Sequence, residues 1–301
     1  MAESQPVIAW AESPLQLIGA AEWASAHDRT VSLAARLTDQ MPETADELIA
    51  RGARFGECAP YLGIPWRLLA RHGHWLVGDG FSGQFRLAAT VLRPRRITFL
   101  DDGANTLAFA DALLGRRAYA RPGVAERGLA TRVAPLVEDH VLRRALAGDV
   151  ELFTAFDLGG ERAAALGERG VRIERHRFPW TRATARPRPD LGRRIVLGSA
   201  RPVDGRLPMS AYIAWVAGQA SAEPVVYLPH RREPRDQLEL VAALPGVRVV
   251  RTGMPAELVL AGLPGSVEIR TLPSSTTTTL SHVLHGSAAV VRSRASRARN
   301  A

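Results

Sequence analysis

The chain contains no lysine. All 39 of its basic residues are arginine, set against 30 aspartates and glutamates, which gives a formal net charge of +9 and a pI near 11.0. Arginine in place of lysine throughout, alongside 26 glycines and 20 prolines, has the look of codon bias. Basicity of that origin does not specify a nucleic-acid partner, and guanidinium groups suit the phosphates and carboxylates of small anions equally well. Aromatic residues make up only 6% of the chain and do not interleave its basic segments. A nucleic-acid partner is therefore not expected. Cys58 is the single cysteine, which excludes an internal disulfide and points to a reducing compartment. No stretch approaches the roughly 20 apolar residues that span a bilayer. The opening MAESQPVIAW lacks the basic and then apolar regions of a secretory signal, so a cytoplasmic protein is expected. One basic run, RSRASRAR at 292–299, offers peripheral contact with an anionic membrane surface; a solvated terminus is the simpler reading. Also missing are a GxGxxG fingerprint, a Walker A loop and Cys or His pairs at zinc-ligand spacing. No metal and no resident cofactor are expected.

What is present is a 301-residue chain with 46% apolar and 23% charged residues, enough for two cores of ordinary domain size. Short apolar runs bounded by turn residues alternate with segments of helical period. Strands are expected at 7–10, 31–35, 74–77 and 96–100, with helices at 14–27, 42–51, 84–92 and 106–114 between and after them. The stretch 116–147 reads as helix plus loop, and 151–156 and 171–178 as further strands. Residues 180–194, WTRATARPRPDLGRR, are rich in Pro and Arg and poor in apolar side chains, as a linker is. Beyond it the alternation restarts, with strands at 194–197, 224–228, 247–250 and 267–269 and helices at 210–220, 237–244, 256–261 and 277–284. The expectation is an α/β protein of two Rossmann-like domains, 1–182 and 194–301, joined by a linker at 183–193 and facing a central cleft.

Four segments carry candidate chemistry. Asp101-Asp102-Gly103 follows a strand, and neighbouring carboxylates tend to raise one pKa, which suits a base; a helix-capping turn is the plainer alternative. His230-Arg231-Arg232-Glu233 also follows a strand, where a histidine and arginines suit a phosphate. The alternative there is a surface loop with Glu233 paired to an arginine. Ser274-Ser275-Thr276 opens a helix within a row of six hydroxyl residues. Such a start binds anions through its dipole and unpaired N–H groups, or is a plain N-cap. Glu12-Ser13-Pro14-Leu15-Gln16 is a good N-cap signature, with Ser13 and Gln16 as candidates for a cleft rim. His282 and His285 are better read as packing or surface residues than as metal ligands.

Taken in order, these segments resemble the bacterial sialyltransferases of the lipooligosaccharide and polysialyltransferase kind. That family carries a D/E-D/E-G motif in its first domain, and His-Pro and Ser-Ser/Thr motifs in its second. Here they look like Asp101-Asp102-Gly103, His230-Arg231 and Ser274-Ser275-Thr276, with Arg231 where the family usually has proline. ESPLQLIGAAEW, GDGFSGQFR, IVLGSARPVDG and MPAELVLAGL are similar to family segments as well. The likeness spans most of the chain and is weakest over 116–194.

The resemblance implies a GT-B fold and an inverting, metal-independent glycosyltransferase. It would pass sialic acid or a related nonulosonic acid from a CMP-activated donor to an acceptor glycan. It implies Asp101 as the base, with Asp102 a close second, and Ser13, Gln16 and Gly103 as cleft or acceptor residues. His230, Arg231, Ser274, Ser275 and Thr276 would hold the departing phosphate. Two alternatives stand beside this: another nucleotide-sugar donor on the same fold, and a catalytically weak nucleotide-binding scaffold of a surface-polysaccharide pathway.

Overall fold

The computed structural model describes residues 5–293 except Asp102, Ala104, Arg127 and Pro264. The run 292–299 therefore lies outside the described residues from position 294 onward. Two compact units, Met1–Trp180 and Thr181–Ala301, make up the chain.

The first unit is built on seven strands: β1 (Val7–Ala11), β2 (Val31–Arg36), β3 (Phe55–Tyr61), β4 (His74–Val77), β5 (Arg96–Phe99), β6 (Val150–Thr154) and β7 (Val171–Arg175). They form one sheet in the order β3-β2-β1-β4-β5-β6-β7, and each neighbouring pair is parallel. The first six strands follow the doubly wound order of dinucleotide-binding folds, whose direction of winding reverses between β1 and β4. Every residue of β1 and β4 is buried. Strands covered on both faces read as unbroken apolar runs, which is why VIAW and HWLV stood out. β3 did not: its sequence FGECAPY is mostly exposed, and it lies at the sheet edge, where Pro60 is tolerated. In the segment expected to be helix plus loop, helices form at Leu129–Arg132 and Ala134–Leu146. The longer one buries Val137, Val141 and Ala145 at four-residue spacing. Trp10, Trp75, Phe85 and Phe99 are central to the core, each worth roughly 1.5–3 kcal/mol on full burial.

The second unit has five strands: β8 (Arg194–Leu197), β9 (Val225–Leu228), β10 (Val247–Val249), β11 (Glu268–Thr271) and β12 (Val290–Ser293). Their order is β10-β9-β8-β11-β12, again with parallel neighbours. Successive side chains alternate between two cores. Leu197, Val226 and Leu228 enter one, while Val196, Val225 and Tyr227 enter the other, as the two-residue period of a strand requires. β12 escaped the sequence reading because its residues are half-exposed or exposed at an edge. The stretch expected to be a bare linker is packed: Leu191 is fully buried in the second unit's core. Arg188 N–H donates to the Gly262 carbonyl at 3.2 Å, and a Cβ at Gly262 would meet the Arg186 carbonyl oxygen at 1.7 Å. Proline stiffness and a close backbone approach order a segment that has few apolar side chains of its own. Among the described residues, no helix is long and apolar enough to cross a membrane.

Candidate functional site

Parallel sheets bind ligands beyond the carboxyl ends of their strands, where the winding reverses. In the first unit that point lies between β1 and β4, so it is framed by the Glu12-Ser13 turn and the Gly78-Asp79-Gly80 loop. The helix Pro14–Ala26 starts there with Ser13 at the N-cap position, but the Ser13 side chain makes no cap hydrogen bond. Gln16, expected at a rim, is only 1% exposed. Its Oε1 accepts the Glu12 N–H at 2.6 Å, and a Cβ on Gly78 would sit 1.8 Å from its Cδ. Gln16 therefore closes the turn from inside. In the GDG loop, Asp79 accepts the Phe81 N–H at 2.9 Å and pairs with Arg121. Arg86, buried under Tyr119, grips Glu126 through two hydrogen bonds of 2.6 and 3.2 Å.

Asp101 lies just past β5 and is 3% exposed. Its Oδ1 accepts from the hydroxyls of Thr106 at 3.1 Å and Thr154 at 2.5 Å, and its Oδ2 accepts from the Ala155 N–H at 2.7 Å. His176 Nε2 is 3.4 Å from Oδ2, on a ring stacked against Phe153. A carboxylate has about four acceptor positions, so three donors leave Asp101 nearly saturated. It anchors the turn after β5 to the end of β6. Gly103 supplies a φ of +61°, which favours glycine. Asp102, the other carboxylate of the motif, lies outside the described residues.

Toward the amino ends of β4 and β6 lies a second polar group. His74 Nε2–H donates to Thr98 Oγ1 at 2.9 Å, and the Thr98 hydroxyl donates in turn to Glu151 Oε2 at 2.8 Å. Burial, with the charge of Arg96, pushes His74 down to about 3. The other Glu151 oxygen faces His27, which also approaches Glu174 at 3.2 Å. These three side chains could chelate a cation. The guanidiniums of Arg96 and Arg172, each 3.6 Å from Glu151, already balance the charge.

In the second unit the winding reverses between β8 and β11. The flanking loops carry Gly198-Ser199 and Ser274-Ser275-Thr276, with His230 on the loop after neighbouring β9. His230 is half-buried and pushed down to about 4 by burial and by the charges of Arg231 and Arg232. Arg232 N–H donates to its Nδ1 at 3.1 Å. Since Nδ1 accepts, the proton of the neutral ring resides on Nε2, which makes that nitrogen a hydrogen-bond donor. Arg232 itself is held bidentately by Asp204. Arg231 is exposed and has no ion-pair partner among the described residues. Glu233, expected to pair with an arginine on the surface, does otherwise. It is 8% exposed and accepts from Tyr227 Oη at 2.7 Å and from His230 N–H at 2.9 Å. Burial raises it to about 7.

The helix Thr276–Val283 begins at Ser275, whose side chain makes no cap hydrogen bond, and Ser274 is exposed. The hydroxyls are thus not consumed as caps. Thr279, one turn in, donates to Glu257 Oε1 at 2.6 Å, which ties this helix to the helix Ala256–Leu260. Sequence reasoning gave no role to Glu257, Ser199, Gly198 or Tyr227, although Gly198 and Ser199 lie in IVLGSARPVDG and Glu257 is an acid inside the apolar run MPAELVLAGL.

No family model matches the chain, and no curated protein matches it. Among solved structures it is similar to LpCGTa in complex with UDP, with 14% identity over 96% of this chain and 84% of that one and a TM-score of 0.47. It is also similar to the E. coli heptosyltransferase WaaC with ADP, with 10% identity, 97% and 91% coverage and a TM-score of 0.44. The likeness to Acinetobacter baumannii MurG has 12% identity, 96% and 86% coverage and a TM-score of 0.33. At such identities and TM-scores, the chemistry of this chain rests on its own residues.

Proposed function

We propose that the protein is an inverting glycosyltransferase that moves sialic acid or a related nonulosonic acid from a CMP-activated donor to an acceptor glycan. The observation that carries the reading is the neutral His230, protonated at Nε2, at the same carboxyl end of the sheet as the helix start at Ser275, whose side chain makes no cap hydrogen bond. A donor imidazole, free hydroxyls and helix N–H groups are what a departing phosphate needs. Arg231, exposed, adds a guanidinium where the resembling family has proline. The second unit thus holds the CMP moiety.

The base comes from the first unit's Asp101-Asp102 pair. The acceptor hydroxyl gives its proton to a carboxylate while its oxygen bonds to the anomeric carbon. The bond from that carbon to the phosphate oxygen breaks, and the electron pair stays on the phosphate. Hydrogen bonds from His230, Ser274, Ser275 and Thr276 stabilise that charge. The donors already on Asp101 suit it to fixing the turn, which leaves Asp102 the better base. Neither a metal nor a resident cofactor is called for in this scheme. A mass-spectrometric transfer screen tests it: CMP-activated acids should be consumed, and UDP- and GDP-sugars should not. Transfer from a UDP-sugar alone would overturn the donor assignment.

A further inference from the structure

We propose that Glu233 is the positioning residue of the phosphate-binding loop, holding His230 in its Nε2–H form where proline is absent from the loop. The inference rests on the proposed role of His230 for its functional meaning, but the geometry is independent of it. Glu233 closes the loop on itself twice: its Oε1 accepts the His230 N–H, and its own N–H donates to the His230 carbonyl at 2.9 Å. This reciprocal pair brackets Arg231 and Arg232, and it is inside this closed turn that Arg232 N–H reaches His230 Nδ1. A proline at 231 would stiffen such a turn by fixing φ; here a buried carboxylate does the work from the other end.

The carboxylate is also the end point of a buried chain. Ser199 N–H donates to Tyr212 Oη at 3.1 Å, Tyr212 and Tyr227 share a short hydrogen bond, and Tyr227 donates to Glu233 Oε2. Because the first and last donors are fixed, Tyr212 must donate to Tyr227. The chain joins the loop after β8 to the loop after β9. Gly198 is the point of closest approach: a Cβ there would lie 1.9 Å from Glu233 Oε1 and 2.5 Å from His230 N. Burying a carboxylate is costly, and an apolar side chain would fill the space at lower cost. What the carboxylate adds is two acceptor oxygens at fixed positions, one for each loop.

The test uses the ¹⁵N-labelled full chain at about pH 8, where a carboxylate of pKa about 7 is mostly ionised. The imidazole ¹⁵N shifts of His230 report its tautomer, and calorimetry reports CMP affinity. The parent should show the Nε2–H form. Glu233→Ala should show mixed tautomers and about tenfold weaker CMP binding. Glu233→Gln, which keeps an oxygen for the His230 N–H, should recover the parent tautomer. If Glu233→Ala does not fold, Tyr227→Phe takes its place: it keeps the ring and should shift the tautomer ratio in the same direction. A folded Glu233→Ala or Tyr227→Phe protein with an unchanged His230 tautomer overturns the inference while leaving CMP binding intact. A tautomer shift in the variants together with no CMP binding by the parent overturns the donor assignment instead.

Discussion

Ala155 N–H donates to Asp101 Oδ2 at 2.7 Å, joining the turn after β5 to the end of β6 through a side chain. Replacing that carboxylate by an amide turns an acceptor into a donor facing other donors. Asp101→Asn is expected to destabilise the first unit by about 1–3 kcal/mol, the cost of leaving a buried N–H or hydroxyl unpaired. Chemical denaturation measures this, and an unchanged midpoint would remove the anchoring role. The transfer rate separates the two carboxylates. Asp102→Asn is expected to lose about 10²-fold or more in turnover, the usual contribution of a positioned base. Full rates in both variants would exclude the pair from proton transfer.

His230 is expected to contribute as a neutral donor to a charged acceptor. His230→Ala should therefore weaken CMP binding by about 10- to 100-fold, equivalent to about 1.5–3 kcal/mol. Calorimetric titration reads the difference directly. Affinity equal to that of the parent would take His230 out of the phosphate site. A free-protein value of about 4 also means that the unliganded histidine carries no charge at neutral pH, so its attraction for the phosphate comes from the N–H.

Glu233 gives the second unit a signed pH dependence. Its value in the folded chain is about 7, against 4.5 for an unperturbed glutamate, so between these values the folded state holds more of the proton than the unfolded state. Stability then falls as pH rises through that window. The burial penalty is complete above about pH 7 and is on the order of 3 kcal/mol. Glu233→Gln removes the titration, so the stability of the parent relative to Glu233→Gln should fall as pH rises from about 5 to 8, while His230, held at about 4 against 6.5, adds the same opposite slope to both proteins below about pH 6.5. Parallel slopes in the two proteins would show that Glu233 is not the group responsible.

The strands that position these loops were legible because they are buried on both faces. VIAW, HWLV and VVYL present unbroken apolar runs, while edge strands such as FGECAPY do not. The loop motifs were visible as patterns of residue types, and the structure places His230 and the Ser274–Thr276 segment on loops at the same end of one sheet, after β9 and β11, with β8 between them. What stayed hidden was mostly contact across the chain. Gly198 reads as an ordinary turn glycine until the Glu233 carboxylate is seen where its Cβ would stand. Glu233 itself, beside two arginines, invited a surface ion pair. Its actual partners are Tyr227, on the preceding strand, and the backbone of its own loop. Gln16 misled in the opposite direction, being polar, close to a helix start and yet fully enclosed.

Thr98 links two ionisable groups in the first unit. It accepts from His74 and donates to Glu151, and all three residues are 1% exposed or less. Thr98→Val preserves shape and β-branching but removes both hydrogen bonds, which leaves a buried imidazole N–H without its acceptor and a buried carboxylate short of a donor. The expected loss is about 1–3 kcal/mol in the first unit, far more than a surface Thr→Val exchange would give. Glu151, although burial alone would raise it, is held down to about 2 by hydrogen bonds from His27 and Thr98 and by the charge of Arg172. Its stabilisation is therefore present above its unfolded value of 4.5 and lost as pH falls toward 2. Losing the Thr98 donor should raise the folded value and shrink that acid-sensitive contribution. Comparing denaturation midpoints of Thr98→Val and the parent at about pH 7 and about pH 2 tests both effects, since the gap narrows only as pH falls through the raised folded value of the variant toward the parent's value of about 2. Equal midpoints at both would mean that the chain from His74 to Glu151 adds nothing to the stability of the sheet.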